Sequence, residues 1–107
     1  MSRVLNDAVI RRLAGDRSYR RGYDYHRHGH VQSLDDQGSL VRALVRGNQD
    51  YTVTLSSDEG VLDYACDCPQ GTDGAFCKHC VAAALAWLNR DAAPATVGLP
   101  KVVARYL

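Results

Sequence analysis

All four cysteines of the chain and one of its four histidines lie within fifteen positions, in the run Cys66-Asp67-Cys68-Pro69-Gln-Gly-Thr-Asp-Gly-Ala-Phe-Cys77-Lys78-His79-Cys80. What such a cluster can do depends on the redox compartment. The opening Met-Ser-Arg-Val-Leu-Asn lacks the long apolar stretch of a signal peptide, and the longest apolar run, Val81 to Leu88, is far too short to span a bilayer. These features predict a cytoplasmic, reducing setting with no membrane partner, where clustered cysteines indicate metal or redox chemistry rather than a disulfide framework.

Cys66-Asp67-Cys68 ends an alternating segment that reads as a strand, and the pleat sends residues two apart to the same face, so both sulfurs can reach one ion. After eight intervening residues Cys77-Lys78-His79 stands at a predicted helix start, where free amides and the helix dipole favour thiolate at Cys77. The segment between contains Pro69, Gly71 and Gly74 and can fold back as a knuckle. Two short ligand-bearing segments joined by a turn meet the needs of tetrahedral zinc, with Zn–S of roughly 2.3 Å and Zn–N of roughly 2.0 Å. Spacing leaves the fourth ligand open between His79 and Cys80, since Cys77-x-x-Cys80 equally allows an all-cysteine site. A thioredoxin-like pair at Cys77 and Cys80 would need a preceding βαβ pattern, which is missing, and would leave Cys66-x-Cys68 unexplained. Free core thiols are the remaining reading. Four protein ligands close the coordination sphere, so one Zn2+ is expected to serve folding, and neither an enzyme nor a small-molecule substrate is expected.

Around the cluster the chain reads as α+β, with N-terminal helices, an antiparallel sheet of three to four strands, a zinc knuckle and a buried C-terminal helix. Asn6 or Asp7 can cap a short helix through Leu13, and Asp16 a second one ending at Gly29. Tyr19, Gly22, Tyr23 and His26 share one face of that second helix. Polar and glycine-containing breaks at 35–38, 47–48 and 58–60 divide the middle into strands of about Val31 to Leu34, Ser39 to Arg46, Asp50 to Ser56 and Val61 to Cys66. Val41, Ala43 and Val45 alternate with Arg42, Leu44 and Arg46, and Tyr51, Val53 and Leu55 with Thr52 and Thr54. The strong helix formers after Cys77 predict a helix to about Asn89, apolar nearly all round. Residues 1–90 are expected to form one domain, with 91–107 as linker and apolar tail, a size suited to a single core in 107 residues.

The motif Cys66-x-Cys68-x8-Cys77-x-His79, with Pro69 after the second cysteine and Lys78 inside Cys-Lys-His, resembles the SWIM-type zinc finger. The likeness extends to Gly22-x-x-Tyr25-x-x-x-Gly29-x-Val31, Val41-x-Ala43-x-Val45-x-Gly47 and Tyr51-x-Val53-x-Leu55, which look like the region before the finger in bacterial members, so that roughly residues 16–90 are covered. The resemblance implies His79 as fourth ligand and Cys80 as a core-facing helix residue. It also implies a binding module, with DNA or a partner protein such as a helicase-like ATPase of the chromatin-remodelling type. A structural or protein–protein interaction domain without nucleic-acid contact is the alternative.

Net charge is only +1, yet residues 1–48 hold nine arginines against five aspartates. Arg20, Arg21 and Arg27, with Arg42 and Arg46, are candidates for a phosphate-binding surface, with Tyr23 or Tyr25 as a stacking partner, against the plainer reading of a solvated face. His26, His28 and His30 suggest a second metal site, but Gly29 breaks the helix on which they would have to align. Asp67 and Asp73 read as turn formers or outer-shell acceptors beside the metal.

Overall fold

The computed structural model describes residues 4–90; the expected linker and tail at 91–107 lie outside them. The N-terminal helical region, α1 (Asp7–Arg27), is started by Asn6, whose Oδ1 accepts the amide of Val9 at 3.0 Å. At Gly15 the backbone leaves helical geometry (φ 78°, ψ 167°), so α1 is two helical segments meeting at a kink, as the pattern around Asp16 predicts. A positive φ with extended ψ is open to glycine and costly for any side chain. Gly29, at φ 74°, ends the helix.

Four strands follow, β1 (Val31–Asp36), β2 (Leu40–Arg46), β3 (Asp50–Asp58) and β4 (Val61–Cys66), paired antiparallel in the order β1-β2-β3-β4. β1 carries a register shift between Val31 and Ser33 and runs two residues past its predicted end. Asp36 stays in the strand because it pairs with Val41 and its carboxylate accepts the Trp87 indole N–H at 3.0 Å and the Arg90 guanidinium at 3.1 Å. The punctuation expected at Asp35-Asp36 therefore begins only at Gln37.

Alternation divides the sheet cleanly. Val41, Ala43 and Val45 of β2 and Tyr51, Val53 and Leu55 of β3 are buried on the inner face. Against it lies α3 (Lys78–Leu88), preceded by the one-turn helix α2 (Pro69–Thr72), which the sequence pattern did not signal. α3 contacts all four strands on one side and α1 on the other. A helix between two layers has no solvent face, which is why Val81-Ala-Ala-Ala-Leu shows no amphipathic stripe and is buried. Gly22 is where α1 comes closest. A Cβ placed there would lie 2.3 Å from Cβ of Val81 and 2.6 Å from the Lys78 carbonyl. The face expected for Tyr19, Gly22, Tyr23 and His26 is accordingly split, with Gly22 buried against α3, Tyr19 and His26 half-buried, and Tyr23 turned outward.

Candidate metal centre

The centre lies where the end of β4, the knuckle and the first turn of α3 converge. Cys66 is the last residue of β4, Cys68 caps α2, Cys77 caps α3, and His79 stands in the first turn of α3. All four are buried, and their ligand atoms lie within 4.8 Å of one another. Sγ of Cys68 and Cys77 are 3.5 Å apart, and Nδ1 of His79 is 3.8 Å from Sγ of Cys66 and 3.7 Å from Sγ of Cys77. Ligands about 2.3 Å from a tetrahedral ion stand about 3.8 Å from one another. Three of the six edges thus already have the length such an ion requires and the others lie within 4.8 Å, and Nδ1 is the histidine atom that faces the sulfurs.

The backbone sets this geometry through two close approaches. Cys68 Sγ accepts the Gly71 amide at 3.2 Å, a contact that turns the knuckle and supports negative charge on the sulfur. Gly71 itself has no room for a side chain, because a Cβ would lie 2.2 Å from the Cys66 carbonyl oxygen. Asp67 is a strand clamp rather than an outer-shell acceptor: its Oδ1 accepts the Thr52 amide at 2.9 Å. Asp73 ends α2, its amide donating to the Gln70 carbonyl.

His79 is oriented by packing. Its ring lies 4.5 Å from the Tyr51 ring and meets the Tyr25 ring edgewise at 5.6 Å. Nε2 is buried with no hydrogen-bond partner, and a Cβ on Gly47 would stand 3.1 Å from it. Metal-bound histidines usually hand the second ring N–H to an oxygen. Here two tyrosine rings and a bare glycine fix the imidazole instead.

Cys80 is fully buried in the core, and its Sγ is 3.9 Å from that of Cys77 but outside the four-atom cluster. Consecutive helix residues project about 100° apart, so His79 and Cys80 cannot both face the knuckle. Hydrogen bonding with Cys66 pulls the Cys77 thiol well below its ordinary value, and the same contact pushes Cys66 up to about 12. Cys80 is pushed up as well, first by hydrogen bonding to Cys66 and then by Cys77. Without metal the first thiolate of the cluster is therefore Cys77, and Cys66 and Cys80 hold their protons.

The remaining candidates are dispersed. Arg20, Arg21 and Arg27 are exposed on α1, whereas Arg42 and Arg46 are exposed on the outer face of the sheet, with α3 between the two layers. They form two surfaces, not one. Arg46 is bound to Asp50 at 2.7 Å. Tyr25 is half-buried against His30 and His79, leaving Tyr23 as the outward ring. His28 and His30 each use Nδ1 on a backbone carbonyl, of Asp24 and Arg46 respectively, both at 2.8 Å. Burial lowers the pKa of His26. Among the described residues these histidines join no metal-ligating group. No described helix is long and apolar enough to cross a membrane.

Compared with protein families, residues 51–88 match the SWIM zinc finger, while the likeness noted upstream of Tyr51 lies outside that match. No curated protein and no solved structure matches the chain. The match covers β3, β4, the knuckle and α3, the elements that carry Cys66, Cys68, Cys77 and His79. The chain therefore carries a SWIM zinc finger, a module stabilised by one structural zinc ion in a site of three cysteines and one histidine.

Proposed function

We propose that the domain is a cytoplasmic, non-enzymatic module that binds nucleic acid through the outward face of α1, with the zinc centre holding α3 as the platform on which α1 rests. The observation that supports this is charge placed by the fold. α1 exposes Arg11, Arg12, Arg17, Arg20, Arg21 and Arg27 against Asp7, Asp16 and Asp24, six positive groups to three negative. One of those acids, Asp7, is held by Arg11 at 2.7 Å. The outer face of the sheet sets Arg42 and Arg46 among Asp35, Asp50, Asp58, Asp63 and Asp67, two against five, and repels a polyanion.

Binding of labelled oligonucleotides to the zinc-loaded chain over a range of salt tests the reading. Phosphate contacts make log affinity fall linearly with log salt, by about 0.7 to 0.9 for each phosphate neutralised. The pair Arg20→Glu and Arg27→Glu is expected to abolish binding, and Arg42→Glu with Arg46→Glu to leave it nearly unchanged. Affinity indifferent to salt, or equal sensitivity of the two pairs, would refute phosphate recognition by α1.

A protein partner such as a helicase-like ATPase is the second reading. It is favoured by a cleft of about 350 Å³ between α1 and the knuckle, where Leu13, Tyr64 and Phe76 stand beside the polar Ser18, Gln70 and Asp73, with Leu13 37% exposed.

A further inference from the structure

Tyr23 is a large aromatic ring left 42% exposed in the middle of the arginine face of α1. Packing does not account for it, because the contact with α3 one residue earlier is made by Gly22. Its neighbour Tyr19 is committed. The Tyr19 hydroxyl donates to Asp7 Oδ1, and the Arg11 guanidinium lies over its ring at 4.2 Å. Tyr19 in turn stands nearly parallel to Tyr23, with ring centres 6.4 Å apart and planes 23° off. Tyr23 is thereby steadied on one side and open to solvent on the other. The Arg27 guanidinium lies 5.9 Å from its ring centre, loosely enough to move aside or to cover a guest. Beside the ring, Arg11, Asp16, Tyr19, Arg20 and Tyr23 line a shallow cleft of about 350 Å³, within the size range of small-ligand sites.

We infer that the nucleic acid taken by this face is single-stranded, with an unpaired base laid on the Tyr23 ring and the flanking phosphates held by Arg20 and Arg27. The inference rests on the proposed reading of α1 as a phosphate-binding face and adds the form of the strand. In a duplex both faces of each internal base are already covered by neighbouring pairs, so an exposed tyrosine gains nothing from stacking. In a single strand every base offers a free face, and an aromatic ring set among arginines meets base and backbone together. Stacking of this kind is tolerant of sequence, which suits a face with one carboxylate, Asp16, beside the ring and no ordered row of hydrogen-bonding groups. Asp16 and Asp24 also keep the face from being uniformly positive, so the backbone alone is held weakly and the stacked base contributes the preference.

Fluorescence anisotropy with the zinc-loaded full chain tests this, using a labelled twelve-nucleotide dT strand, the matching rU strand, and a twelve-base-pair duplex at one salt concentration. The single strands are expected to bind about tenfold or more tighter than the duplex. Tyr23→Ala should weaken single-strand binding between about fivefold and a hundredfold, the range for losing one base–aromatic stack, and leave duplex binding unchanged. Tyr23→Phe, which keeps the ring, should restore it. The side chain is exposed, and zinc stoichiometry and melting temperature of each variant establish that the scaffold is intact. Equal affinity for single strand and duplex, or a Tyr23→Ala effect that is absent or the same on both, overturns the single-strand assignment and leaves phosphate binding standing. Absence of binding to every probe overturns both.

Discussion

The zinc centre and the outward face of α1 differ in chemical character, and they are specified in opposite ways. The centre is fixed by four buried atoms within 4.8 Å, with Gly47 and Gly71 giving way so that side chains and backbone can close around them. The α1 face is an exposed field of arginines around two tyrosines, and the packing of α1 on the core, through the buried Ile10 and the close approach of Gly22 to Val81, decides which way it points. One region depends on four buried side chains closing on an ion; the other has meaning only against a partner. Local chemistry thus accounts for the fold, and surface placement for what the fold can touch.

Removing the metal should separate the two most sharply. Structural zinc in finger peptides contributes on the order of 10–16 kcal/mol, against a net stability of roughly 5–15 kcal/mol for a typical domain. Chelation, His79→Ala or Cys77→Ser is expected to unfold the knuckle and α3, and α1 with them, seen as loss of helical circular dichroism. A chelated protein that kept its melting transition would show the metal to be dispensable.

Within the centre, Cys80→Ser should keep one zinc per chain while costing about 1–3 kcal/mol for a hydroxyl buried without a partner. Loss of zinc in that variant, with retention in His79→Ala, would exchange the two roles. Between the regions, Gly22→Ala is expected to lower stability by about 1–3 kcal/mol, since overpacking against Val81 outweighs the roughly 1 kcal/mol of helix propensity it gains. Zinc content should not change, and oligonucleotide binding should weaken because α1 is displaced.

The smallest effect is on pH. Cys66 is pushed up to about 12 in the metal-free chain, so zinc must displace its proton at neutral pH. Apparent zinc affinity should therefore rise about tenfold per pH unit for each proton released, at least one between pH 6 and 8, as competition with a chromophoric chelator measures.

Much of the architecture was legible along the chain because it is written at short range. Strand alternation marks Val41, Ala43 and Val45 as inward, Asn6 caps α1, and the unbroken run after Cys77 forms a helix whose ends differ from expectation by one residue. β1 was harder to delimit. Asp35-Asp36 looks like a turn until Trp87 and Arg90, over fifty residues away, supply the partners that keep Asp36 in the strand. The one-turn helix α2 lacks any periodic signal, since four residues are too few to show one. The resemblance to SWIM fingers was needed to favour His79, because spacing alone admits Cys80 equally.

Two facts about this protein were set by sequence alone, that three cysteines at 66, 68 and 77 and a fourth ligand at 79 or 80 can close on one ion, and that one side of the sheet is apolar. Both follow from chemistry repeated over a few residues. The tertiary structure decided the rest. It turned His79 to the sulfurs and Cys80 to the core, since neighbours on a helix diverge by about 100°. It also placed α3 between the arginines of α1 and those of the sheet, so that the arginines of the basic half were divided between a basic face on α1 and a sheet face where aspartates outnumber them. Charge is counted along a chain but felt across a surface, and only packing determines which residues share one.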